Sequence, residues 1–487
     1  MSIHHVKTTG CIALLSQLLI GCQAIVKSDY QAPNVSVPQQ FAYATSTANA
    51  YPAQYADQWW TLFQDPQLNQ LVQQVIARNG NLAVAGINLQ QAQLKAGLAQ
   101  AQQGIRVSDA SISTGHQFEL EGGSHSDSGF RLNYPGLSYQ IDLFGKLARQ
   151  TEAAKWEALA TAQDLQATAQ TLIGTTANLY WQLGYLNERH QVTLSNLEKT
   201  EKLYQLVQSQ YRAGSVSGLD LTQAQQAVQS QQASLSQIEQ QRVETRSALA
   251  VLLQIPLQQL TIQEPQTLPS AQLPAITAGL PAELLSRRPD LQAAELRLRE
   301  SLANKDATKA SYYPSISLTG SLSTGLVGSS SSLADALKNP IATLGAGLTL
   351  PFLQYNDMKR NLKISALDYE KAIVQYRNTL YQAFADTENA LSQRLELDKQ
   401  VALQQKNLDL AEKSERLTEV RYKNGAIALK QLLDAQETTR NARLSLVQTK
   451  QSQYNAYVTL LQALGGSPIQ QLPENPEQKA QQQNTSQ

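Results

Sequence analysis

The sequence predicts a mainly α chain that carries a few membrane-length β-strands and is built from two structural repeats. Three observations predict it: a motif that returns at a fixed offset, two proline-free runs of about 65 residues, and short alternating segments set around Gly/Ser loops. Tyr211-Arg212-Ala213-Gly214 is followed ten residues after the glycine by Ala224-Gln225. Tyr422-Lys423-Asn424-Gly425 is followed at the same distance by Ala435-Gln436, an offset of 211 residues. Upstream, Asn79-Gly80-Asn81-Leu82 lines up with Arg288-Pro289-Asp290-Leu291 at an offset of 209.

The N-terminus comes first in chain order. Lys7 and an apolar run precede Leu19-Ile20-Gly21-Cys22, the spacing of a lipobox, so residues 1–21 read as a lipoprotein signal peptide. The run is too short for a spanning helix. Cys22 is the expected lipidation site and first mature residue, and Gln23 after it permits sorting to an outer membrane. Residues 22–56 then form a lipid-anchored extension.

Repeat one, 57–254, opens with a helix expected over about 65–103, where Leu68, Leu71, Val72, Val75 and Ile76 fall at three and four spacing. Strand-like alternation follows around Ser111-Ile112-Ser113 and over 137–143. Between them 121–129, Glu-Gly-Gly-Ser-His-Ser-Asp-Ser-Gly, reads as a loop. A helix over about 146–212 would be on the order of 100 Å long at 1.5 Å per residue. A glycine turn and a helix of about 35 residues complete the repeat. After a linker, 255–280, repeat two (281–466) has the same order: helix 281–310, strands at 315–318 and 344–350 around Gly328-Ser329-Ser330-Ser331-Ser332, helix 358–422, turn, helix to Leu464. Residues 467–487 read as a disordered polar tail.

Four strands of about ten residues cannot close, and open edges in lipid leave N–H and C=O groups unpaired at several kcal/mol each. Three chains would supply twelve strands, so a β-barrel shared by a trimer is the simplest closure. The helices carry Leu186, Leu194, Leu197, Leu203 and Leu206 among Gln, Ser, Thr and Glu, a coiled-coil pattern with polar faces that suit a wet tunnel. Ordinary solvated faces explain the same pattern.

Composition excludes several classes. The 487 residues contain 39 basic and 39 acidic side chains, which gives no polybasic surface for nucleic acid. Only Cys11 and Cys22 are present, and mean hydropathy is −0.33. Gln140 stands where a phosphate loop ending in Gly145-Lys146 needs its first glycine. The five histidines, His4, His5, His116, His125 and His190, lack metal-ligand spacing. An enzyme is not expected, and no cofactor beyond the covalent lipid at Cys22.

Trp59-Trp60-x-x-Phe63-x-Asp65-Pro66-x-Leu68, Tyr139-x-x-Asp142-Leu143-Phe144-Gly145, Leu284-Leu285-Ser286-Arg287-Arg288-Pro289-Asp290, Leu432-Leu433-Asp434-Ala435-Gln436 and Leu464-Gly465-Gly466 together resemble the TolC-like outer membrane efflux factors. The lipobox and Arg-Arg-Pro-Asp resemble that family's lipoprotein branch, which serves resistance-nodulation-division pumps. The resemblance implies a homotrimer in outer membrane lipid, a helical periplasmic tunnel, and a far end that meets a periplasmic membrane-fusion adaptor and an inner membrane pump. It implies small-molecule efflux; secretion of polypeptides and a poreless periplasmic scaffold are the alternatives.

The turns stand at the helix ends farthest from the strands, which makes Gly214, Ser217, Leu219, Asp220, Gly425, Ala428 and Leu429 the candidate adaptor contacts. The resemblance assigns Asp434 to a closed periplasmic constriction, with Arg421, Tyr422 and Lys430 as its nearest candidate partners. Lys430 stands where efflux relatives have leucine. It lies one turn before Asp434, in the weaker order for a helix ion pair.

Overall fold

The computed structural model describes residues 26–43, 57–118, 126–269, 287–324 and 340–466, with the short stretches 273, 282, 327–328 and 468–469. The signal segment, Cys22, Gln23, the Leu284-Leu285-Ser286 run before the Arg-Arg-Pro-Asp motif and the tail beyond 469 lie outside the described residues.

A 3₁₀ turn, Trp59–Phe63, leads into α1 (Pro66–Arg78) and α2 (Gly80–Ala101). Apolar spacing predicts one helix here, but the backbone breaks at Asn79, whose φ and ψ are extended. The Asn79 side chain explains the break. Its Oδ1 accepts the N–H groups of Asn81 and Leu82, which caps α2, and its Nδ2 donates to the Leu252 carbonyl at 2.9 Å. Strands β1 (Arg106–Val107), β2 (Ser111–Phe118), β3 (Ser126–Asn133) and β4 (Leu137–Ile141) follow, then α3 (Lys146–Arg212) and α4 (Gly218–Leu253). β3 corrects the 126–129 part of the loop expected at 121–129, of which 121–125 lie outside the described residues: its ladder with β2 runs from Ser111↔Asn133 to Phe118↔Ser126, so backbone pairing forms a strand from a polar, glycine-bearing sequence.

The second half contains α5 (Pro289–Ala310), β5 (Ser315–Thr324), β6 (Val327–Gly328), β7 (Pro340–Thr349), α6 (Tyr355–Lys423) and α7 (Leu429–Ala463). α5 is described from Pro289, and of the residues expected to precede it in the helix 281 and 283–286 lie outside the described residues; proline at its first position and Asp290 at its second suit a helix N-terminus. Arg288 sets that start in place. Its guanidinium binds the Asp290 carboxylate through two nitrogens, at 3.0 and 2.7 Å, and reaches Asp386 at 3.4 Å. Gly465 lies so close to Arg287 that an added Cβ would sit 2.6 Å from its carbonyl, and the Gly466 N–H donates to that carbonyl at 2.9 Å. The closing Leu-Gly-Gly motif is therefore a backbone dock for the Arg-Arg-Pro-Asp motif.

By contacts the described residues group into two compact units. One comprises the described parts of Met1–Val35, Asn88–Ala162 and Ala293–Asn378; the other takes Ser36–Ile87, Gln163–Gln292 and Thr379–Gln487. The first holds an antiparallel sheet of order β1-β4-β5-β3-β2, with β6 on β3 and β7 on β5. Its register separates two chemistries. Leu137, Tyr139 and Ile141 stand opposite Gly320, Leu318 and Ile316, which stand opposite Leu344, Ala346 and Leu348. Ser138 and Gln140 share the other face with Thr319, Ser317, Gly345 and Gly347; Ile341, opposite Ser323, is its apolar exception. The apolar face is bare, with Leu344 90% exposed. β2 and β7 each have one neighbour among the described strands. Asp142 then accepts the Ala148 N–H at 2.8 Å and caps α3 after Gly145.

The N-terminal segment is strapped to this unit. The Ser28 N–H and hydroxyl donate to the two carboxylate oxygens of buried Asp306, and the Tyr30 ring lies 4.5 Å from the Arg299 guanidinium carbon.

The core of the second unit is aromatic. Phe63 packs on Trp181, Tyr454 and Tyr457 with centroid separations of 5.2, 5.9 and 5.4 Å, and Trp59 and Trp60 are buried beside them. Asp65 caps α1 through Gln67 and Leu68 and also accepts the Tyr180 hydroxyl at 2.9 Å. No helix of the described residues is long and apolar enough to cross a membrane.

Candidate functional site

Both long hairpins, α3 with α4 and α6 with α7, close by the same local chemistry. The Gly214 N–H donates to the Tyr211 carbonyl at 3.0 Å and the Ser215 N–H to Gln210 at 2.9 Å; Gly425 and Ala426 make the same bonds to Tyr422 and Arg421, both at 2.9 Å. These satisfy the last helix carbonyls in the pattern that needs a left-handed residue after the helix end. Gly214 and Gly425 supply it with φ of +74° and +70°. A Cβ at either would meet nothing within 4 Å, so the requirement is conformational and not one of space.

Beyond the glycines the two tips differ. In the first, Ser217 caps α4: its hydroxyl accepts the Asp220 N–H, while the Asp220 carboxylate accepts the Ser217 N–H at 2.9 Å and hydroxyl at 2.6 Å. Those bonds from Ser217 hold the Asp220 carboxyl below the usual carboxylate range. In the second, Ala428 occupies the cap position without a side-chain bond, and the charge lies further on, where Lys430 Nζ meets Asp434 Oδ1 at 3.2 Å on the exposed surface.

The remaining candidates separate clearly. Gly214, Ser217, Gly425 and Ala428 are exposed, and Leu219 is 66% exposed. Leu429 departs from the expected tip surface. It is 3% exposed and packs with Leu203, Val207, Ala224 and Leu432, so its side chain belongs to a core shared by the two hairpins. Of the three expected partners of Asp434, the structure brings only Lys430 to it. Tyr422 instead donates its hydroxyl to Gln210 Oε1 at 3.4 Å, and burial, then the Asp220 charge, raise its pKa. Arg421 is exposed at the end of α6. Cys22 lies outside the described residues.

Sequence reading passed over Gln210. The repeat offset itself points to it, because Gln210 is the counterpart of Arg421 and both supply the carbonyl that closes a tip. Between the hairpins, above the tips, lies a polar cavity of about 470 Å³ whose walls include Lys199, Glu415, Lys430, Asp434, Glu437 and Arg440. Glu437 and Arg440 pair within α7, and that pairing holds the Glu437 carboxyl below its ordinary range. Among the described residues no group of three or more His, Cys, Asp or Glu side chains is placed to hold a metal ion.

Comparison with known proteins covers nearly the whole chain. The family described as "Outer membrane efflux protein" matches residues 71–253 and 280–466. The pyoverdine export outer membrane protein OpmQ of Pseudomonas putida is 31% identical over 467 residues, spanning 94% of this chain and 97% of the relative. The toluene efflux pump outer membrane protein TtgC of Pseudomonas putida is 29% identical, over 94% and 96%. The open-state MtrE outer membrane channel of Neisseria gonorrhoeae superposes with a TM-score of 0.78 at 27% identity, over 92% of this chain and 99% of that one.

Proposed function

We infer the working form of this chain from the premise that it belongs to the outer membrane efflux protein family. It is the outer membrane exit duct of a tripartite efflux system and extends into the periplasm. We propose that three copies of the chain do this together. Three copies join sheet edge to sheet edge, β2 of one against β7 of the next, and close a twelve-stranded barrel. One observation carries the proposal: the ladder puts Leu137, Tyr139, Leu318, Leu344 and Leu348 on one face and Ser138, Gln140, Ser317 and Thr319 on the other, as lipid outside and water inside require. Exposed heptad-spaced residues on α6, among them Leu403, Leu410 and Leu417, give the helices a matching apolar seam for a neighbouring copy.

In this reading the tips at Gly214, Ser217, Leu219, Asp220, Gly425 and Ala428 receive the periplasmic adaptor, which links the duct to an inner membrane pump. Asp434, with Lys430, lines the constriction. Cys22 carries lipid, a role supported by the lipobox and Gln23. Relatives are named for cargoes as different as pyoverdine, toluene and cations, so choice of small molecule is assigned to the pump.

Cysteine pairs introduced along β2 and β7 test the closure. Oxidation in outer membrane vesicles is expected to give dimers and trimers and to stop there. A ladder running past the trimer, or no intersubunit product at any register, would overturn it.

A further inference from the structure

In the first unit, where the sheet meets the start of α3, a cavity of about 380 Å³ is lined by Arg106, Ser138, Gln140, Lys146, Gln150 and Ser317 among others, and none of its lining side chains is a carboxylate. Arg106 and Lys146 are its two charges. Neither takes part in an ion pair or side-chain hydrogen bond among the described residues. Two acids close to Lys146 in sequence make contacts of their own: Asp142 accepts the Ala148 N–H, and Glu152 pairs with Arg149. Two unopposed cations beside hydroxyls and amides form a donor-rich wall with little to accept from it, which suits an anion.

The register says which side of the sheet this wall occupies. Arg106 stands opposite Ser138, Ser138 opposite Thr319, and Gln140 opposite Ser317, so the cation shares the polar face, away from Leu137, Leu318 and Leu344. We propose that this cavity is an anion site on the polar face of the sheet, taking a carboxylate or phosphate group of a dissolved solute. Its placement inside the duct rests on the barrel reading above. A lipid phosphate offers the same chemistry, but lipid would meet the opposite, apolar face. In a trimer the three cavities form a ring of six cations, opposite in sign to a ring of Asp434 carboxylates at the tips.

The test uses the full-length, detergent-solubilised trimer with citrate as the probe. Calorimetry should find saturable citrate binding to the wild type that weakens about tenfold or more in Arg106→Gln/Lys146→Gln. If the double variant does not assemble, Arg106→Gln alone carries the test with a loss of about threefold to tenfold. Absence of citrate binding to the wild type, or equal binding to an assembled variant, overturns the site. Reversal potentials in a KCl gradient should shift toward cation selectivity in the same variants. Lost citrate binding with an unchanged reversal potential would overturn the placement inside the duct. A wild-type trimer that passes no current would defeat the barrel reading, while calorimetry still decides the anion site. Unchanged citrate binding with loss of co-purifying anionic lipid would assign the cations to a headgroup and overturn the proposal.

Discussion

The two hairpin tips share a backbone and differ in their chemistry. Both close on a glycine with positive φ, through the same pair of hydrogen bonds. Yet the first begins its return helix with the reciprocal cap Ser217–Asp220, and the second begins with uncapped Ala428 and buries Leu429 instead. The repeat offset pairs Gly218 with Leu429 and Leu219 with Lys430, so an apolar side chain one place apart points outward in one tip and inward in the other. The turn is thus fixed by conformation, whereas each return helix is held by whatever its own first turn supplies: hydrogen bonds in one, apolar burial in the other.

Truncating the two leucines should separate the tips most widely. Leu429→Ala removes a buried side chain from the cluster with Leu203, Val207, Ala224 and Leu432 and is expected to destabilise the hairpins by about 2–5 kcal/mol. Leu219→Ala should stay within about 0.5 kcal/mol. Urea unfolding followed by hydrogen exchange at the tips measures both, and equal losses would show that the tips are not held differently.

A smaller effect is expected from the cap. Ser217→Ala should cost about 1 kcal/mol and speed exchange of the first amides of α4. Because the Asp220 carboxyl titrates below its unfolded value, its stabilisation is present above the usual carboxylate pKa and is lost as pH falls through the folded value. Amide protection at 219–221, corrected for intrinsic rates, should therefore drop in acid below about pH 4 in the wild type, with no matching drop at 430–432. A cap that survives acid would separate the two tips less than their geometry implies.

The smallest change in stability belongs to Lys430 and Asp434. Their pair is exposed and in the weaker order, so Asp434→Ala should shift stability by less than about 0.5 kcal/mol. Its effect should appear instead in planar bilayers as higher single-channel conductance and lower cation selectivity. Unchanged conductance would leave the pair as surface decoration of α7.

Much of this contrast could be read in advance. The 211-residue offset matched the turn glycines, and proline-free runs located α3 and α6 to within a few residues. The repeat also contained the clue to Gln210. What escaped reading depended on which segments the fold sets side by side. Asn79 ends a helix because its amide serves as a cap and reaches Leu252. β3 is a strand because β2 lies beside it. Leu429 is buried because Leu203 and Val207, more than 200 residues earlier, cover it. Periodicity reports which residues share a face, and tertiary packing decides which face meets a partner.

The shared turn geometry has a consequence for symmetry. In the proposed trimer six hairpin ends would face the periplasm, all following one backbone path but alternating between an apolar tip with an acid cap and a tip bearing a lysine and an aspartate. To a partner that grips main-chain shape this rim is six-fold. To one that reads side chains it is three-fold, with two kinds of seat.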